Sequence, residues 1–458
     1  VGEGKVEMMD LLLINPGNRL SQFGGVSEYA TIAQPLGLAM LAAFVREKGF
    51  DVSILDAECL DYTPQMVADH IEKAQPVFIG LTAFTTKATA CNAIIREIRD
   101  REIDVKIIYG GHHPSAIPEL TLLESGADIV VKGEGYAPIL SILRGDLNPI
   151  QQGAAMGDIS NLPIPAWDLL PMDKYRAHHW QTWGIGQPNS FALQFTSLGC
   201  PFACSFCSVN VVYGSGGYRI KTPERVLDEL DVLAGLGIKH IEIIDDTFTL
   251  DTDHVVSICD GIVERGYDFN MWAFTRTDRT VASLMDKMKE AGINWVFMGV
   301  ETGSDKLLKA INKRQDISGI KKAVGTAKDA GMNVGANYIF GLEDDTTESM
   351  QQTLDLAIEL NTEWANFFPA MPYPGTQMYD EANKGDLPTE WEQYGFFAPT
   401  AKPLPTKTVS SQDVVKFRDY AFQSYFGGAR YQDMIERKFG KGDYIREMCK
   451  KKIGRKIT

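Results

Sequence analysis

The chain of 458 residues carries 60 acidic against 45 basic side chains, a formal charge of −15, with 44% apolar and 23% charged residues. That composition belongs to a folded chain of two to three domains with sizeable cores and excludes a disordered one. The acidic balance argues against a general nucleic-acid surface, and no run approaches the roughly 18 uncharged apolar residues of a membrane-spanning helix. The start, Val1-Gly2-Glu3-Gly4-Lys5-Val6-Glu7, lacks the apolar stretch of a secretory signal, and seven cysteines in this length do not form a disulfide framework, so a reducing, cytoplasmic setting is expected. Basic residues concentrate only at the end, at Arg446, Lys450, Lys451, Lys452, Arg455 and Lys456, where they read as a solvated tail.

Residues 9–145 alternate short apolar runs with helical patterns. Strands are predicted at Leu11–Ile14, Val52–Leu55, Val77–Leu81, Val105–Tyr109 and Ile129–Val131, and helices at Leu36–Val45 and near 64–74, 86–100 and 118–125. Short, wholly apolar strands separated by helices imply a parallel sheet covered on both faces, with ligand loops at the strand C-termini. Those loops carry Asn15-Pro16-Gly17, then Gln34-Pro35-Leu36-Gly37, then Thr82-Ala83-Phe84-Thr85, then Gly110-Gly111-His112-His113-Pro114, and finally Gly133-Glu134-Gly135. Glycines there let a large ligand approach the backbone. Together the loops resemble the cobalamin-binding domain that precedes the radical module in cobalamin-dependent radical S-adenosylmethionine enzymes. The resemblance implies a Rossmann-like domain over 1–145 and cobalamin contacts at Gly17, Thr82, Thr85, Gly110, Gly111, His113, Gly133 and Gly135. The Asp-x-His-x-x-Gly motif that supplies a cobalt-ligating histidine elsewhere is absent, so His112 and His113 are expected to fix loops and leave cobalt alone; a flavodoxin-like fold without cofactor is the alternative.

Residues 146–190 hold Pro163, Pro165, Pro171 and Pro188 among Trp167, Tyr175, Trp180 and Trp183, which reads as an interdomain linker pinned by its aromatics. From 191 to 385 the βα rhythm resumes, with strands near 191–196, 240–245, 269–274, 295–300, 333–340 and 364–369: six units, as in a partial (β/α)6 barrel. Beyond 386 that rhythm stops. A helix near 411–426 with Phe417, Tyr420, Tyr425 and Phe426 marks a mainly helical C-terminal cap.

Directly after the first barrel strand stand Cys200, Cys204 and Cys207. Three close thiolates suit an iron–sulfur cluster, and because Cys59, Cys91, Cys259 and Cys449 are remote single residues in apolar helical surroundings, one iron would lack a protein ligand and stay open to substrate. Zinc or mere burial is the competing reading, but structural zinc wants a second close pair, which is missing. The spacing Cys-x3-Cys-x2-Cys with aromatic Phe206 before the last cysteine resembles the radical S-adenosylmethionine superfamily. By that resemblance the three cysteines ligate a [4Fe–4S] cluster and act in catalysis. Its open iron chelates S-adenosylmethionine, and a low-potential reductant such as flavodoxin or ferredoxin drives cleavage to a 5′-deoxyadenosyl radical.

Further residues fall on the same rim: Asp245-Asp246, Arg276, Glu301, Tyr338 and Gly341. Glu301 accepts from ammonium or hydroxyl groups and the Arg276 fork suits a carboxylate; the resemblance places Asp246, Arg276, Glu301, Tyr338 and Gly341 around S-adenosylmethionine. For Asp245 and Asp246, helix capping or an ion pair with Arg276 is equally open. The activity implied is C-methylation at an unactivated carbon: the radical abstracts hydrogen and methylcobalamin donates the methyl group. The alternative is an oxidative cyclase or ring-rearranging enzyme, like the anaerobic magnesium-protoporphyrin monomethyl ester cyclase. Thiomethyl transfer to transfer RNA would require three more N-terminal cysteines and a basic C-terminal domain, neither of which is present. The substrate, a small molecule or a peptide, is not readable.

Overall fold

The computed structural model describes residues 9–214 and 217–451; the start of the chain and Lys452, Arg455 and Lys456 lie outside the described residues. Two compact units emerge, the first from Val1–Arg19, Gln34–Lys174 and Val211–Gly214, the second from Leu20–Ala33, Tyr175–Asn210 and Ser215–Thr458.

In the first unit the apolar runs become parallel strands β1 (Leu11–Asn15), β2 (Val52–Asp56), β3 (Phe78–Thr82), β4 (Lys106–Gly110), β5 (Ile129–Lys132) and β6 (Ile150–Gln152), ordered β2-β1-β3-β4-β5-β6. Alternation along β1 divides its side chains between two cores. Leu12 and Ile14 pack with Val67, Ile71, Cys91 and Ile95 of helices Pro64–Ala74 and Ala88–Asp100, whereas Leu11 and Leu13 pack with Leu38, Ala42 and Ile139 of helices Leu36–Glu47 and Tyr136–Leu143. Because β1 sits between β2 and β3, the chain leaves it toward opposite sides, and the crevice at this switch point opens beyond the C-terminal strand ends. Among the elements not anticipated are the helices His112–Ala116 and Tyr136–Leu143 and β6, in which only Gln151 is buried. So short a strand leaves no apolar signature. The segment 146–190 is accordingly divided, up to Lys174 in the first unit and from Tyr175 in the second.

The second unit is built on β7 (Phe191–Gln194), β10 (His240–Ile243), β11 (Asn270–Thr275), β12 (Ile293–Glu301), β13 (Asn333–Phe340) and β14 (Trp364–Pro369), all parallel and ordered β14-β13-β12-β11-β10-β7. A two-residue hairpin, β8 (Ser197–Leu198) with β9 (Arg219–Ile220), follows β7. Four of the six main strands fall within the predicted spans, while β11 runs one residue past its span and β12 starts two residues before and ends one residue after its own. Their outer face carries Ile241, Ile243, Tyr338, Phe340 and Phe367; Phe340 meets Phe417 at 5.2 Å and Phe367 meets Tyr425 at 5.6 Å, both on helix Ser411–Phe426. The inner face carries Trp272, Trp295, Phe297, Gly335 and Trp364. Here the linker folds in: the Trp180 ring lies 5.2 Å from Trp295, 5.0 Å from Phe297 and 5.1 Å from Trp364, closing the N-terminal end of the sheet. Trp183 packs beside it on Phe439 and Tyr444, from helices Ala429–Phe439 and Gly442–Lys450. Those two helices extend the cap beyond the single predicted one. Cys59, Cys91 and Cys259 are buried as expected of small apolar side chains, Cys449 is half-buried, and among the described residues no helix is long and apolar enough to cross a membrane.

Candidate functional site

At the switch point of the first unit, Asn15 at the end of β1 donates from Nδ2 to Asp56 at the end of β2 (2.7 Å) and accepts at Oδ1 from Lys87 Nζ (2.8 Å). Lys87 also donates to the Pro16 carbonyl (3.0 Å), so the turn bearing Gly17 is tied to the strand ends on both sides. The glycines beyond β4 and β5 face the protein's own backbone. Gly111 has φ +105°, and a Cβ there would lie 2.8 Å from the Ala83 carbonyl; Gly133 has φ +83°, and its Cβ would lie 2.8 Å from the Gly153 carbonyl. Any other residue would push neighbouring loops apart. Ser115 completes the tie, donating to the Gly111 carbonyl and accepting from the Gly133 amide (2.9 Å). Gly110 and Gly135 have only ordinary contacts, and Thr85 is buried at the start of a short turn.

His113 is buried, and its backbone amide donates to the Ala83 carbonyl (3.0 Å). His112 stacks on Phe84 with ring centroids 4.6 Å apart. Burial pushes both imidazoles down to about 4, so both are neutral near pH 7. Phe84 itself is 59% exposed. A flat, uncharged aromatic surface beside Thr82 and the glycine loops fits the broad face of a corrin ring.

In the second unit, β7 leads through Thr196 and Ser197 into the cysteine loop. Asp245, buried beyond β10, accepts from the Thr196 amide, the Thr196 hydroxyl and the Ser197 hydroxyl, each at 2.6 Å. It neither caps a helix nor pairs with Arg276; Asp251 caps the helix Thr252–Arg265. The loop's carbonyls are held one after another. Asn210 donates to Phe202 O (3.2 Å), Asn312 to Ala203 O (2.9 Å), the Cys207 amide to Cys204 O (3.0 Å) and the Met378 amide to Ser205 O (3.0 Å). Arg276 uses its fork on Asp278 and the Lys313 carbonyl (2.7 Å) and lies 3.7 Å over the Phe202 ring. It thereby clamps the loop.

The thiols lie within electrostatic reach of one another, and burial raises Cys204 and pushes Cys207 up to about 12, although Cys207 remains exposed at its surface. Cys204 and Cys207 are therefore protonated at neutral pH, so their ligation of iron releases protons. Among the described residues no three His, Cys, Asp or Glu side chains converge as ligands of one metal ion. Three thiols on one loop suit a polynuclear cluster, in which each thiolate binds a different iron.

Around this loop, Glu301 ends β12 at φ +67° and accepts from Lys313 Nζ at 2.5 Å, both side chains being buried. Asp246 takes the Gly199 amide while burial, then the Asp245 charge, lift it to about 7. Tyr338 stacks on Phe367 at 5.3 Å on the outer face, so its side chain belongs to the core under the cap helix. Gly341 leaves room for Val414, and its backbone lines a cavity of about 200 Å³ with Ser205, Ile311, Leu342 and Met378 beside the loop. Sequence reasoning passed over Asn312 and Lys313. Their signal was slight: two polar residues just past the short helix Asp305–Ala310.

A parallel sheet whose first strand is locked into a three-thiol loop, in a chain that also carries a doubly wound sheet with a ligand crevice, defines a radical enzyme with a second cofactor domain. Comparison with known proteins agrees. Residues 195–357 match the Radical SAM superfamily and residues 24–143 the B12 binding domain. An uncharacterized methyltransferase of Pyrococcus horikoshii is 33% identical over 86% of this chain and 88% of its own; the anaerobic magnesium-protoporphyrin IX monomethyl ester cyclase of Rubrivivax gelatinosus is 26% identical over 86% and 74%. The radical S-adenosylmethionine methyltransferase TsrM of Kitasatospora setae, solved with cobalamin and a [4Fe–4S] cluster, shares the fold with a TM-score of 0.63 at 18% identity over 81% of this chain and 77% of that one. The chain belongs to the cobalamin-dependent radical S-adenosylmethionine enzymes. It is an enzyme of an N-terminal B12-binding domain, a central parallel-sheet radical core and a C-terminal helical region, and its cofactors are cobalamin, S-adenosylmethionine and an iron–sulfur cluster.

Proposed function

We propose that this enzyme transfers a methyl group to an unactivated substrate carbon. The observation that carries the reading is the three-thiol loop at the end of β7 in a chain that also holds a B12-binding domain; its similarity to a methyltransferase at 33% identity supports it. When bound, S-adenosylmethionine and the cluster supply a hydrogen-abstracting radical, and cobalamin supplies a methyl carrier.

Within that reading the chain's own residues hold, orient and insulate. Cys200, Cys204 and Cys207 bind the cluster irons. Asp245, Arg276 and Asn312 fix the loop that presents them, and the Lys313–Glu301 pair keeps a charged, hydrogen-bonding edge next to it. Asp246 and Glu301 would accept from the ammonium and hydroxyl groups of S-adenosylmethionine, while Gly341 and the backbone of Tyr338 would hold its nucleoside. Thr82, Thr85, His113 and the glycine loops at Gly17, Gly110, Gly111, Gly133 and Gly135 shape the corrin site. We assign the functional division to 1–145, 146–190, 191–385 and 386–458, with flavodoxin or ferredoxin as the reductant in a reducing cytoplasm.

The test is anaerobic incubation of the holoenzyme with methyl-labelled S-adenosylmethionine and a small-molecule extract of the producing cells. Methyl transfer puts the label into a substrate carbon, with 5′-deoxyadenosine and S-adenosylhomocysteine as co-products. A cyclised or dehydrogenated product without label overturns it in favour of the cyclase reading, which the 26% identity to the Rubrivivax gelatinosus enzyme supports.

A further inference from the structure

The Lys313–Glu301 pair is held by uncommon backbone on both sides. Both residues are buried, and the pair stands against Gly299, where a Cβ would collide with the Glu301 carboxylate and lie 2.6 Å from Lys313 Nζ. The register between β12 and β13 shifts between Gly299 and Glu301, and Glu301 takes a left-handed conformation. Lys313 is flanked by two more left-handed residues that are not glycine, Asn312 at φ +57° and Arg314 at φ +56°. Such conformations are unfavourable for residues with a side chain and persist where the surrounding structure imposes them, often at functional sites. Stability is a weak reason for the pair, because desolvating two charges offsets their attraction.

The pair is tied to the cysteine loop through the backbone. Asn312 Nδ2 donates to the Ala203 carbonyl (2.9 Å) and the Ser205 amide donates to the Ile311 carbonyl (3.2 Å), so the residues on either side of Cys204 are joined to the two that precede Lys313. The Lys313 carbonyl accepts from Arg276 (2.7 Å), whose guanidinium lies on the Phe202 ring and also donates to Asp278. Two buried cations therefore stand by Cys204, each paired with one carboxylate. Burial raises the Cys204 thiol, Lys313 and then Arg276 draw it down, and Glu301 opposes them more weakly. Lys313 thus outweighs its own counter-ion at the sulfur, and the pair sets a positive field there in a chain of charge −15.

We propose that Lys313 tunes the iron–sulfur cluster: its ammonium raises the reduction potential, and Glu301 is the opposing charge that limits the shift. A [4Fe–4S]2+ core with three thiolates carries one net negative charge. Taking up one electron from a low-potential flavin or iron–sulfur protein makes it two, with no bond formed or broken. A nearby cation stabilises the more negative state, and the charge around a cluster is one determinant of its potential. A unit charge about 12 Å away through a medium of effective dielectric about 20 changes such an equilibrium about tenfold. The inference rests on the cluster held by Cys200, Cys204 and Cys207 and is independent of methyl transfer.

The experiment is a potentiometric titration of the anaerobic holoenzyme without S-adenosylmethionine. The electron paramagnetic resonance signal of the reduced cluster gives the midpoint potential, and iron analysis gives its occupancy. Lys313→Met should disfavour the reduced cluster about tenfold, a midpoint about 59 mV lower. Glu301→Gln should move the midpoint upward, and Lys313→Arg should hold the reduced fraction within about twofold of the parent. The double variant Lys313→Met, Glu301→Gln should fall between the parent and Lys313→Met. Loosening of the loop does not give this pattern, because loss of either partner of a purely structural pair acts in one direction. If Lys313→Met does not retain iron, the upward shift in Glu301→Gln and the unchanged midpoint in Lys313→Arg carry the test. A Lys313→Met midpoint within about twofold of the parent, about 18 mV, or a Glu301→Gln midpoint at or below the parent, overturns the proposal. A failed ligand assignment shows separately as full cluster iron in Cys204→Ala, and an unlabelled product in the methyl assay leaves these potentials unaffected.

Discussion

Asp245→Ala should loosen the cysteine loop before it affects any other part of the chain. The carboxylate receives three hydrogen bonds of 2.6 Å from Thr196 and Ser197, all in the interior. Bonds to a charged acceptor are worth about 1.5–3 kcal/mol each, so the gross loss is roughly 5–9 kcal/mol. Two of the donors are hydroxyls that rotate, and the Thr196 hydroxyl already lies 3.2 Å from His254 Nε2. Removing the carboxylate also recovers its desolvation penalty, which is why its pKa is raised despite the donors. What remains is chiefly the stranded Thr196 amide and lost packing, a net cost of about 3 kcal/mol. If this cost falls on local opening, amide exchange over residues 194–207 should accelerate about a hundredfold, read by hydrogen–deuterium exchange of the anaerobic holoenzyme. Cluster iron should fall in parallel, and Asp245→Asn should retain part of both. Exchange within a factor of about three of the parent, with full iron, would refute the claim that Asp245 holds the loop.

Cys204→Ala should lose cluster iron and reductive cleavage of S-adenosylmethionine together, and full retention of either contradicts the ligand assignment. The electron paramagnetic resonance spectrum of the cob(II)alamin form should lack axial nitrogen splitting, because His113 is buried within its loop and His112 is stacked on Phe84; splitting from an imidazole would overturn that. Glu242 supplies a pH test. Its folded pKa, about 7 against 4.5, means that its contribution favours the fold below about pH 4.5 and is lost as pH rises through 7. At about 1.4 kcal/mol per unit this amounts to at most about 3 kcal/mol for a half-buried group, so Glu242→Gln should flatten the decline in melting temperature between about pH 5 and 8; an unchanged slope refutes it.

The order of elements, both parallel sheets and the cysteine loop were legible in the chain, because period-two burial, βα alternation and thiol spacing are local signals. Cys200, Cys204 and Cys207 lie within eight residues of one another, and the strands that carry the rim residues are mainly apolar. The partners were another matter. That Arg276 grips Asp278 and the Lys313 carbonyl, that Asp245 binds the strand leading into the loop, that Gly111 and Gly133 yield to neighbouring loops, and that Tyr338 faces the cap helix all join residues from separate strands. A carboxylate or a glycine has the same local pattern whatever it meets. Only the register of the folded sheets sets which donor stands 2.6 Å from which acceptor, and so decides which rim residues hold the loop and which remain available to a ligand.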